Sequence, residues 1–231
     1  VSMAKQYKIE ELMTLSGVKF GTSGARGLAD KMTDEVCYAY TLAFLQHLET
    51  SENIKPSCEV AIAGDLRPSS PRICAAVAKA ISDKGYEPLY CGEIPSPAVA
   101  LYGLDNGVPS IMVTGSHIPD DRNGIKFNTP LGEILKEDEL GIRSQNVVIP
   151  AGICDEKGFF LKAHNLADAY QEAEELYVKR YVDFFGSQAL EGMRLGVYEH
   201  SAVGRDTLKT IYKALGAKVS GLGRSEKFIP V

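Results

Sequence analysis

The sequence predicts an α/β protein with a mixed, largely parallel sheet and helices on both faces. Short apolar runs at 59–63, 88–91 and 108–113 have the length and composition of buried strands. Stretches with helical spacing of apolar residues begin at Ser70 and Ser96 and separate these runs. Because strands and helices alternate with short connections, most strand pairs are expected to be parallel, with the helices packed on the sheet.

Two helices are predicted before the first strand. Apolar residues between 9 and 15 indicate a short helix that ends at Gly17. Thr33 can cap a second helix that runs to about Leu48, because a threonine hydroxyl accepts a hydrogen bond from the first turn. His47 lies near the end of this helix and is expected to be solvated or stabilised by the helix dipole.

The next two helices begin at serine–proline pairs. Proline at the first helical position loses no needed N–H group, so Ser70 and Ser96 mark helix starts. The first of these helices is expected to end at Gly85 and the second near Leu104. A further helix is predicted over 137–144, after a turn at 128–132.

A second, incomplete α/β unit is predicted after a connector over 147–158. Its predicted elements are a helix over 166–185, a strand over 194–198, a helix from Gly204 to about Leu215 and a strand that begins at Ala217. One such unit buries too little apolar surface to stand alone. We therefore expect a first domain over 1–150 and the truncated start of a second domain over 151–231.

Composition and charge argue against several classes of protein. The chain has 231 residues, 45% of them apolar, and a net charge of −5 without the basic run that nucleic-acid binding requires. Its 5 cysteines are scattered and lack metal-binding spacing, which favours reduced thiols and a cytoplasmic location. The sequence shows no membrane-spanning run and no signal-peptide pattern, so we expect no membrane partner.

Candidate chemistry lies in the polar loops, and the first of these loops is rich in glycine. It contains Thr22, Ser23 and Arg26, and its exposed backbone N–H groups could hold an anion with help from the guanidinium. It is not a P-loop, and a flexible connector is the alternative. The loop after the next strand contains Asp65 and Arg67, for which a structural ion pair is the favoured interpretation.

The loop after the strand at 108–113 carries the strongest candidates. The Ser116 hydroxyl could act as a nucleophile or carry a phosphoryl group, which would bring roughly −1.5 to −2 charges. His117 and Lys126 could balance that charge or move protons. An ordinary polar turn remains the alternative, because serine, glycine, proline, aspartate and asparagine are the usual turn residues.

Four motifs carry a resemblance to a known family. In chain order they are FGTSGARG at 20–27, GDLRPS at 64–69, GEIPSP at 92–97 and TGSHIPDDRNGIKF at 114–127. Together they resemble the α-D-phosphohexomutase superfamily, which includes phosphomannomutase and phosphoglucomutase. The resemblance covers about the first 150 residues firmly and the remainder weakly. Gly115 and Ile118 depart from it, since the family often has alanine and asparagine there.

The resemblance implies four domains around one cleft and a phosphoserine that exchanges phosphoryl groups with a hexose monophosphate. Ser116 matches the phosphoserine, His117 and Lys126 match residues that line the reacting phosphate, and Arg26 matches an arginine that approaches it. Thr22, Ser23, Arg26 and Asn123 are the implied substrate-binding residues. A hexose phosphate is the implied small-molecule partner, with mannose preferred and glucose next, and a hexose 1,6-bisphosphate is the implied activator.

The resemblance also implies Mg²⁺, bound between the phosphoserine and an Asp-x-Asp-x-Asp loop. Ser116 would be the metal contact of this chain, through its phosphate, because no Asp-x-Asp is present. We therefore expect an N-terminal fragment that is inactive without the C-terminal domains of the same polypeptide. The alternative is a catalytically empty domain that binds sugar phosphate or another protein. A serine hydrolase is disfavoured, since no G-x-S-x-G motif occurs.

Overall fold

The strands and helices follow one another in an α/β order. The computed structural model describes residues 4–21, 23–52 and 54–229. The strands are β1 (Lys5–Lys8), β2 (Lys19–Phe20), β3 (Gly24–Leu28), β4 (Glu59–Gly64), β5 (Glu87–Glu93), β6 (Ser110–Val113), β7 (Arg122–Thr129), β8 (Gly132–Glu133), β9 (Asn146–Ile149), β10 (Arg194–His200) and β11 (Lys218–Arg224). The helices are α1 (Ile9–Ser16), α2 (Asp34–Ser51), α3 (Ser70–Asp83), α4 (Ser96–Asn106), α5 (Lys136–Arg143), α6 (Glu172–Phe185) and α7 (Arg205–Ala214).

The main sheet has seven strands and is mixed, as predicted. Six strands lie in the order β2-β3-β7-β6-β4-β5, and β8 pairs with β7. Strand β4 is parallel to both β5 and β6, whereas the pairs of β7 with β3, β6 and β8 are antiparallel. Parallel pairing is therefore confined to one part of the sheet, and the sheet is less parallel than predicted. The loop from β6 to β7 contains no crossover helix, so β7 returns antiparallel beside β6.

Helices cover both faces of this sheet, which confirms the prediction. Along β4, Val60 and Ile62 pack into one apolar cluster, whereas Ala61 and Ala63 pack into the other. The first cluster includes side chains of α1, α2, α3 and α5, and the second includes side chains of α4 and α6. Successive side chains of a strand point to opposite faces, so one short apolar run supplies both cores.

Several local predictions are confirmed, but the one for His47 is wrong. The Thr33 hydroxyl accepts a hydrogen bond from Val36 N at 3.3 Å, and Gly17 ends α1 in the left-handed conformation. His47 is only 9% exposed and its Nε2 lies 2.9 Å from an oxygen of Asp138. The reason is tertiary, because α5 packs on α2 and brings Asp138 to the imidazole.

Two further differences concern the ends of the first unit. Strands β1 and β9 form an antiparallel pair in which Lys5 lies opposite Ile149, although no strand is predicted before residue 9 and a connector is predicted from residue 147. Helix α6 begins at Glu172 and not at 166. Before it, Tyr170 N donates a hydrogen bond to Tyr90 O at 2.8 Å, so this segment runs along β5.

The second unit is built on a parallel pair of strands. Strands β10 and β11 are joined by α7, as the strand–helix–strand pattern predicted. The position of the second unit places the carboxyl ends of β10 and β11 opposite the carboxyl ends of β4 and β6. A cavity forms between these strand ends. Among the described residues, every helix is too short or too polar to cross a membrane.

Candidate active site

A cavity of about 420 Å³ lies where the carboxyl ends of four strands meet. The first unit contributes the segment 65–67 after β4, together with Thr114, Ser116 and His117 after β6. The second unit contributes His200 and the segment 201–204, and residues of the segment 225–229 after β11. Strand ends of this kind are the usual binding positions in α/β proteins.

Ser116 is exposed at the wall of this cavity. Its backbone has φ of +57°, a left-handed conformation that costs a serine about 1 kcal/mol or more. Its N–H donates to the Thr114 hydroxyl at 2.9 Å, and its own Oγ lies 3.4 Å from Nδ1 of His117. The hydroxyl is therefore accessible to a ligand and has an imidazole nitrogen close by.

The side chain of Arg67 binds the backbone of the Ser116 loop. Its guanidinium donates to the carbonyl oxygens of Pro119 at 2.7 Å, Arg122 at 3.2 Å, Ser116 at 2.9 Å and Ile118 at 2.6 Å. The side chain is only 2% exposed. A buried guanidinium that binds four carbonyl groups fixes the course of the loop and, with it, the direction of the Ser116 side chain.

Asp65 connects the loop after β4 with the loop after β6. Its carboxylate lies 3.2 Å from Nε of Arg67, which confirms the predicted ion pair. The same carboxylate accepts hydrogen bonds from the Thr114 hydroxyl at 2.8 Å, from Gly115 N at 3.3 Å and from the Ser70 hydroxyl at 2.5 Å. The ion pair is thus part of a network that ties Ser116 to the start of α3.

Gly115 allows Arg67 to approach the backbone. A Cβ atom at this position would lie 2.4 Å from Cζ of Arg67, far inside van der Waals contact. The departure from alanine at this position therefore has a structural reason in this chain. The guanidinium occupies the space that a methyl group would need.

Asn123 supports the loop and does not face the cavity. It is fully buried, and its Nδ2 donates to the hydroxyls of Ser69 at 2.8 Å and Ser70 at 3.0 Å. Its Oδ1 accepts from Gly124 N at 2.8 Å. This placement contradicts the expectation that Asn123 binds substrate, because its amide group is already satisfied by protein partners.

Arg26 and Lys126 lie on one face of the sheet, beside the base of the Ser116 loop. Arg26 pairs with Gly124, and Lys126 pairs with Gly24. Their neighbours along the strands pack into the apolar cluster that includes α2. Both cationic side chains therefore point to the other face of the sheet. Neither residue lines the cavity, and both lie on strands beside the base of the Ser116 loop.

The other loop predicted to bind substrate is only partly described. Ser23 has φ of +65°, and its carbonyl oxygen accepts a hydrogen bond from Phe127 N at 3.1 Å. It therefore joins the loop to β7, close to Lys126. Thr22 lies outside the described residues.

Arginines neutralise both carboxylates of the cavity. Asp65 is paired with Arg67, and Glu226 forms hydrogen bonds with Arg224 and Arg205 at 3.2 Å. The hydrogen bond from Arg224, followed by that from Arg205, lowers the pKa of the Glu226 carboxyl below its usual range. Within the described part of the chain, neither imidazole of the cavity has a carboxylate partner. Among the described residues that line the cavity, no carboxylate is therefore left unpaired to repel an anionic ligand.

The described residues do not fit the Mg²⁺ site that the resemblance implies. They contain no group of three or more histidine, cysteine, aspartate or glutamate side chains that could hold a metal ion. A hard cation such as Mg²⁺ needs several oxygen ligands in near-octahedral geometry. Because the cavity carboxylates are paired with arginines, Ser116 is left without a second metal-binding side chain among these residues.

Sequence reasoning missed the contribution of the second unit to the cavity. His200, Ser201, Glu226 and Phe228 all line it, and the Phe228 ring lies 4.5 Å from Cζ of Arg67. His200 is the last residue of β10, Ser201 follows it, and Glu226 and Phe228 lie shortly after β11. Their position after predicted strands was a usable signal, but only the folded chain shows that both strand pairs end at one cavity.

A family model described as "Phosphoglucomutase/phosphomannomutase, alpha/beta/alpha domain I" matches residues 17–146, which is more than half of the chain. The chain belongs to the phosphoglucomutase/phosphomannomutase family. The match contains the segments of the first unit that form the cavity, including the Ser116 loop.

Curated relatives extend the similarity into the second unit. A phosphomannomutase of Salmonella muenchen is 42% identical over 229 residues, which cover 99% of this chain and 45% of the relative. A phosphomannomutase of Sinorhizobium fredii is 43% identical over 93% of this chain and 45% of the relative. A phosphoglucosamine mutase of Prochlorococcus marinus is 29% identical over 87% of this chain and 42% of the relative. The chain therefore spans less than half the length of these relatives.

Solved structures confirm the α/β fold. A phosphoglucomutase/phosphomannomutase family protein of Burkholderia thailandensis matches with a TM-score of 0.66 and 22% identity, over 90% of this chain and 44% of that chain. A protein of Thermus thermophilus titled putative phosphomannomutase matches with a TM-score of 0.63 and 20% identity, over 89% and 45%. At these identities the likeness concerns the fold alone.

Proposed function

We propose that this chain is the phosphoserine-bearing part of a phosphohexomutase, an isomerase that interconverts hexose 6-phosphates and hexose 1-phosphates. Residues 1–150 would form its first domain and residues 151–231 the start of its second. The observation that carries the proposal is the exposed Ser116 hydroxyl, held at a cavity wall by a buried arginine that binds four carbonyl groups of its loop. Family membership supports the same reaction class.

The chemistry assigned to Ser116 is reversible phosphoryl transfer. In the charging direction, its Oγ forms a bond to phosphorus of a hexose 1,6-bisphosphate while the bond from that phosphorus to the sugar oxygen breaks. The hydroxyl proton passes to Nδ1 of His117, which lies 3.4 Å from Oγ, and is then returned to the departing sugar oxygen. In the reverse direction, a sugar hydroxyl attacks phosphoserine by the same path.

Positive charge near the base of the loop favours this transfer. Phosphoryl transfer depends on positioning and on stabilisation of the charge on the phosphoryl oxygens. Arg26 and Lys126 lie on the sheet face beside the Ser116 loop, and no described carboxylate pairs with them. We assign them to charge stabilisation, with Arg26, Ser23 and Thr22 retained as candidates for substrate binding.

The proposed substrate is a mannose phosphate, with a glucose phosphate as second choice. Relatives named phosphomannomutase are 42% and 43% identical to this chain, whereas those named phosphoglucosamine mutase are between 25% and 32% identical. A hexose 1,6-bisphosphate would activate the protein by charging Ser116. Because the chain spans less than half of these relatives, we propose that it does not turn over substrate alone.

A chimera tests the proposal. Residues 1–231 would replace the matching part of the Salmonella muenchen phosphomannomutase, and conversion of mannose 1-phosphate would be measured with glucose 1,6-bisphosphate present. Ser116→Ala is expected to reduce kcat by about 10⁴-fold or more, as removal of a catalytic nucleophile does. Ser144→Ala, on an exposed serine at the end of α5, is the matched control. Undiminished turnover in Ser116→Ala would refute the assignment.

The second candidate function is a catalytically empty module that binds sugar phosphate. The absence of a metal-binding cluster from the described residues favours it. Calorimetry of the isolated chain with mannose 1-phosphate, combined with the chimera, separates the two functions. Binding by the chain together with an inactive chimera that retains its folded structure would favour the module.

A further inference from the structure

His200 lies in the same cavity as Ser116 but belongs to the second unit. It is the last residue of β10 and has φ of +53°, in the left-handed region that non-glycine residues rarely adopt. Its carbonyl oxygen accepts hydrogen bonds from Ser225 N at 3.0 Å and from Nη1 of Arg205 at 3.4 Å. The unusual backbone conformation is therefore held by contacts with the start of α7 and with the residue after β11.

The Ser201 hydroxyl contacts both the backbone after β11 and the His200 ring. Ile229 N donates to the Ser201 hydroxyl oxygen at 3.0 Å, and this oxygen lies 3.2 Å from Nδ1 of His200. Oγ accepts from Ile229 and still has its own proton to donate. We assign that proton to the bond with Nδ1, an arrangement in which the neutral imidazole carries its proton on Nε2. Within the described part of the chain, Nε2 has no protein acceptor.

The surroundings of His200 favour an anionic acceptor from a ligand. The two carboxylates that line the cavity, Asp65 and Glu226, are paired with arginines and do not accept from His200. A cavity of about 420 Å³ is large enough for a sugar phosphate, since small-molecule sites measure roughly 300–1,000 Å³. Phosphate oxygens are strong acceptors for an N–H donor.

We propose that His200 is a substrate-binding residue whose Nε2 donates a hydrogen bond to a phosphate monoester in the cavity, on the side opposite Ser116. The inference deepens the proposed function and rests on it for the identity of the ligand. The contact itself does not require Ser116 to carry a phosphoryl group. It assigns the second unit a role in holding the ligand, in addition to any part that the rest of the polypeptide supplies.

Nuclear magnetic resonance of the histidine side chains tests the contact on the chain as it is. The ring nitrogens would be assigned with His200→Gln and followed while inorganic phosphate, mannose 1-phosphate or unphosphorylated mannose is added. We expect Nε2 of His200 to be the protonated nitrogen before addition. Its signal should shift with both phosphate compounds but not with mannose, and it should do so equally in Ser116→Ala.

Calorimetry with mannose 1-phosphate gives the second measurement. His200→Ala should weaken binding about tenfold, the loss expected for one hydrogen bond to a charged group. His200→Gln should retain most of the affinity, because its side-chain amide nitrogen can take the place of Nε2. His164→Ala, which removes an imidazole outside the cavity, is the control and should leave affinity unchanged.

The outcomes separate this inference from the proposed function. The contact is overturned if the His200 signal does not shift with either phosphate compound, or if His200→Ala and His164→Ala bind mannose 1-phosphate with equal affinity. Either result leaves the role of Ser116 standing. If Ser116 is never phosphorylated but the His200 signal still shifts with phosphate compounds, the proposed function is overturned and the His200 contact stands. Failure of the chain to bind either phosphate compound would also overturn the inference.

Discussion

At the residue scale, the Ser116 loop depends on the side chain of Arg67. Its guanidinium is almost fully buried and satisfies the carbonyl groups of residues 116, 118, 119 and 122. Its removal would leave these acceptors and the carboxylate of Asp65 without their partner. Loss of one partner of a buried ion pair is strongly destabilising, because the remaining charge stays buried and uncompensated.

Arg67→Ala is therefore expected to lower the free energy of unfolding by about 3–5 kcal/mol. Urea denaturation followed by circular dichroism measures this change. Arg67→Lys should fall between the wild type and Arg67→Ala, since an ammonium cannot reach the same four acceptors. Arg194→Ala removes an exposed arginine of β10 and serves as the control. Equal stability of Arg67→Ala and Arg194→Ala would contradict the role given to Arg67.

Gly115→Ala tests the close approach of the Arg67 guanidinium to the Ser116 loop by changing the loop instead of the arginine. The new methyl group would lie 2.4 Å from Cζ of Arg67, so the guanidinium or the loop has to move. We expect a loss of about 1–3 kcal/mol of stability, the usual range for overpacking a buried site. Gly21→Ala is the control, since its methyl group would meet only Cδ of Arg26 at 3.9 Å. A Gly115→Ala variant as stable as Gly21→Ala would show that the loop relaxes freely.

At the element scale, charged side chains hold the strand pair β10–β11 to α7. Hydrogen bonds from Lys209 and then Arg224 lower the pKa of Glu199 below its usual range. Hydrogen bonds from Arg224 and then Lys209 lower the pKa of Asp206. A carboxyl group whose folded-state pKa is lowered stabilises the fold above its unfolded-state pKa. That contribution is lost as the pH falls towards the folded-state value.

The second unit is therefore expected to lose stability when the pH falls below about 4, the ordinary carboxyl range. Melting temperatures recorded between neutral and acidic pH measure this loss. Arg224→Ala should reduce the stability at neutral pH and flatten the dependence on pH, whereas Arg194→Ala should not. If the wild type and Arg224→Ala lose stability in parallel on acidification, this network does not set the acid limit.

Most helices and strands could be predicted from residues close together in the sequence, whereas pairing between distant segments could not. The Thr33 cap, the end of α1 at Gly17 and the serine–proline helix starts depend on neighbouring residues, so the sequence was sufficient. The pairing of β1 with β9 joins segments about 140 residues apart and has no local signature. For the same reason His47 was expected to be solvated, although α5 supplies Asp138 to its ring.

The candidate site shows the same division. Ser116 and His117 could be predicted because an apolar strand leads directly into their loop, and the structure places both in the cavity. Asn123 was misjudged, because burial against Ser69 and Ser70 depends on how α3 packs on the sheet. His200 was missed because its meeting with Ser116 depends on the position of one unit relative to the other.

At the scale of the whole molecule, one cavity joins the two units. The first unit brings the Ser116 loop, fixed by Arg67, and the second brings His200 and the segment after β11. Phe228 packs on the guanidinium of Arg67 and so links the second unit to the residue that holds the loop. We propose that this arrangement presents the Ser116 hydroxyl to a phosphoryl group.

Mass spectrometry of the chimera with the Salmonella muenchen relative shows whether Ser116 accepts a phosphoryl group. After incubation with a hexose 1,6-bisphosphate, we expect one added phosphate, located on Ser116 by fragmentation and absent from Ser116→Ala. The phosphate should be removed when mannose 1-phosphate is then supplied in excess. A phosphate found on another residue, or an active chimera that never carries one on Ser116, would show that Ser116 is not the residue that exchanges the phosphoryl group.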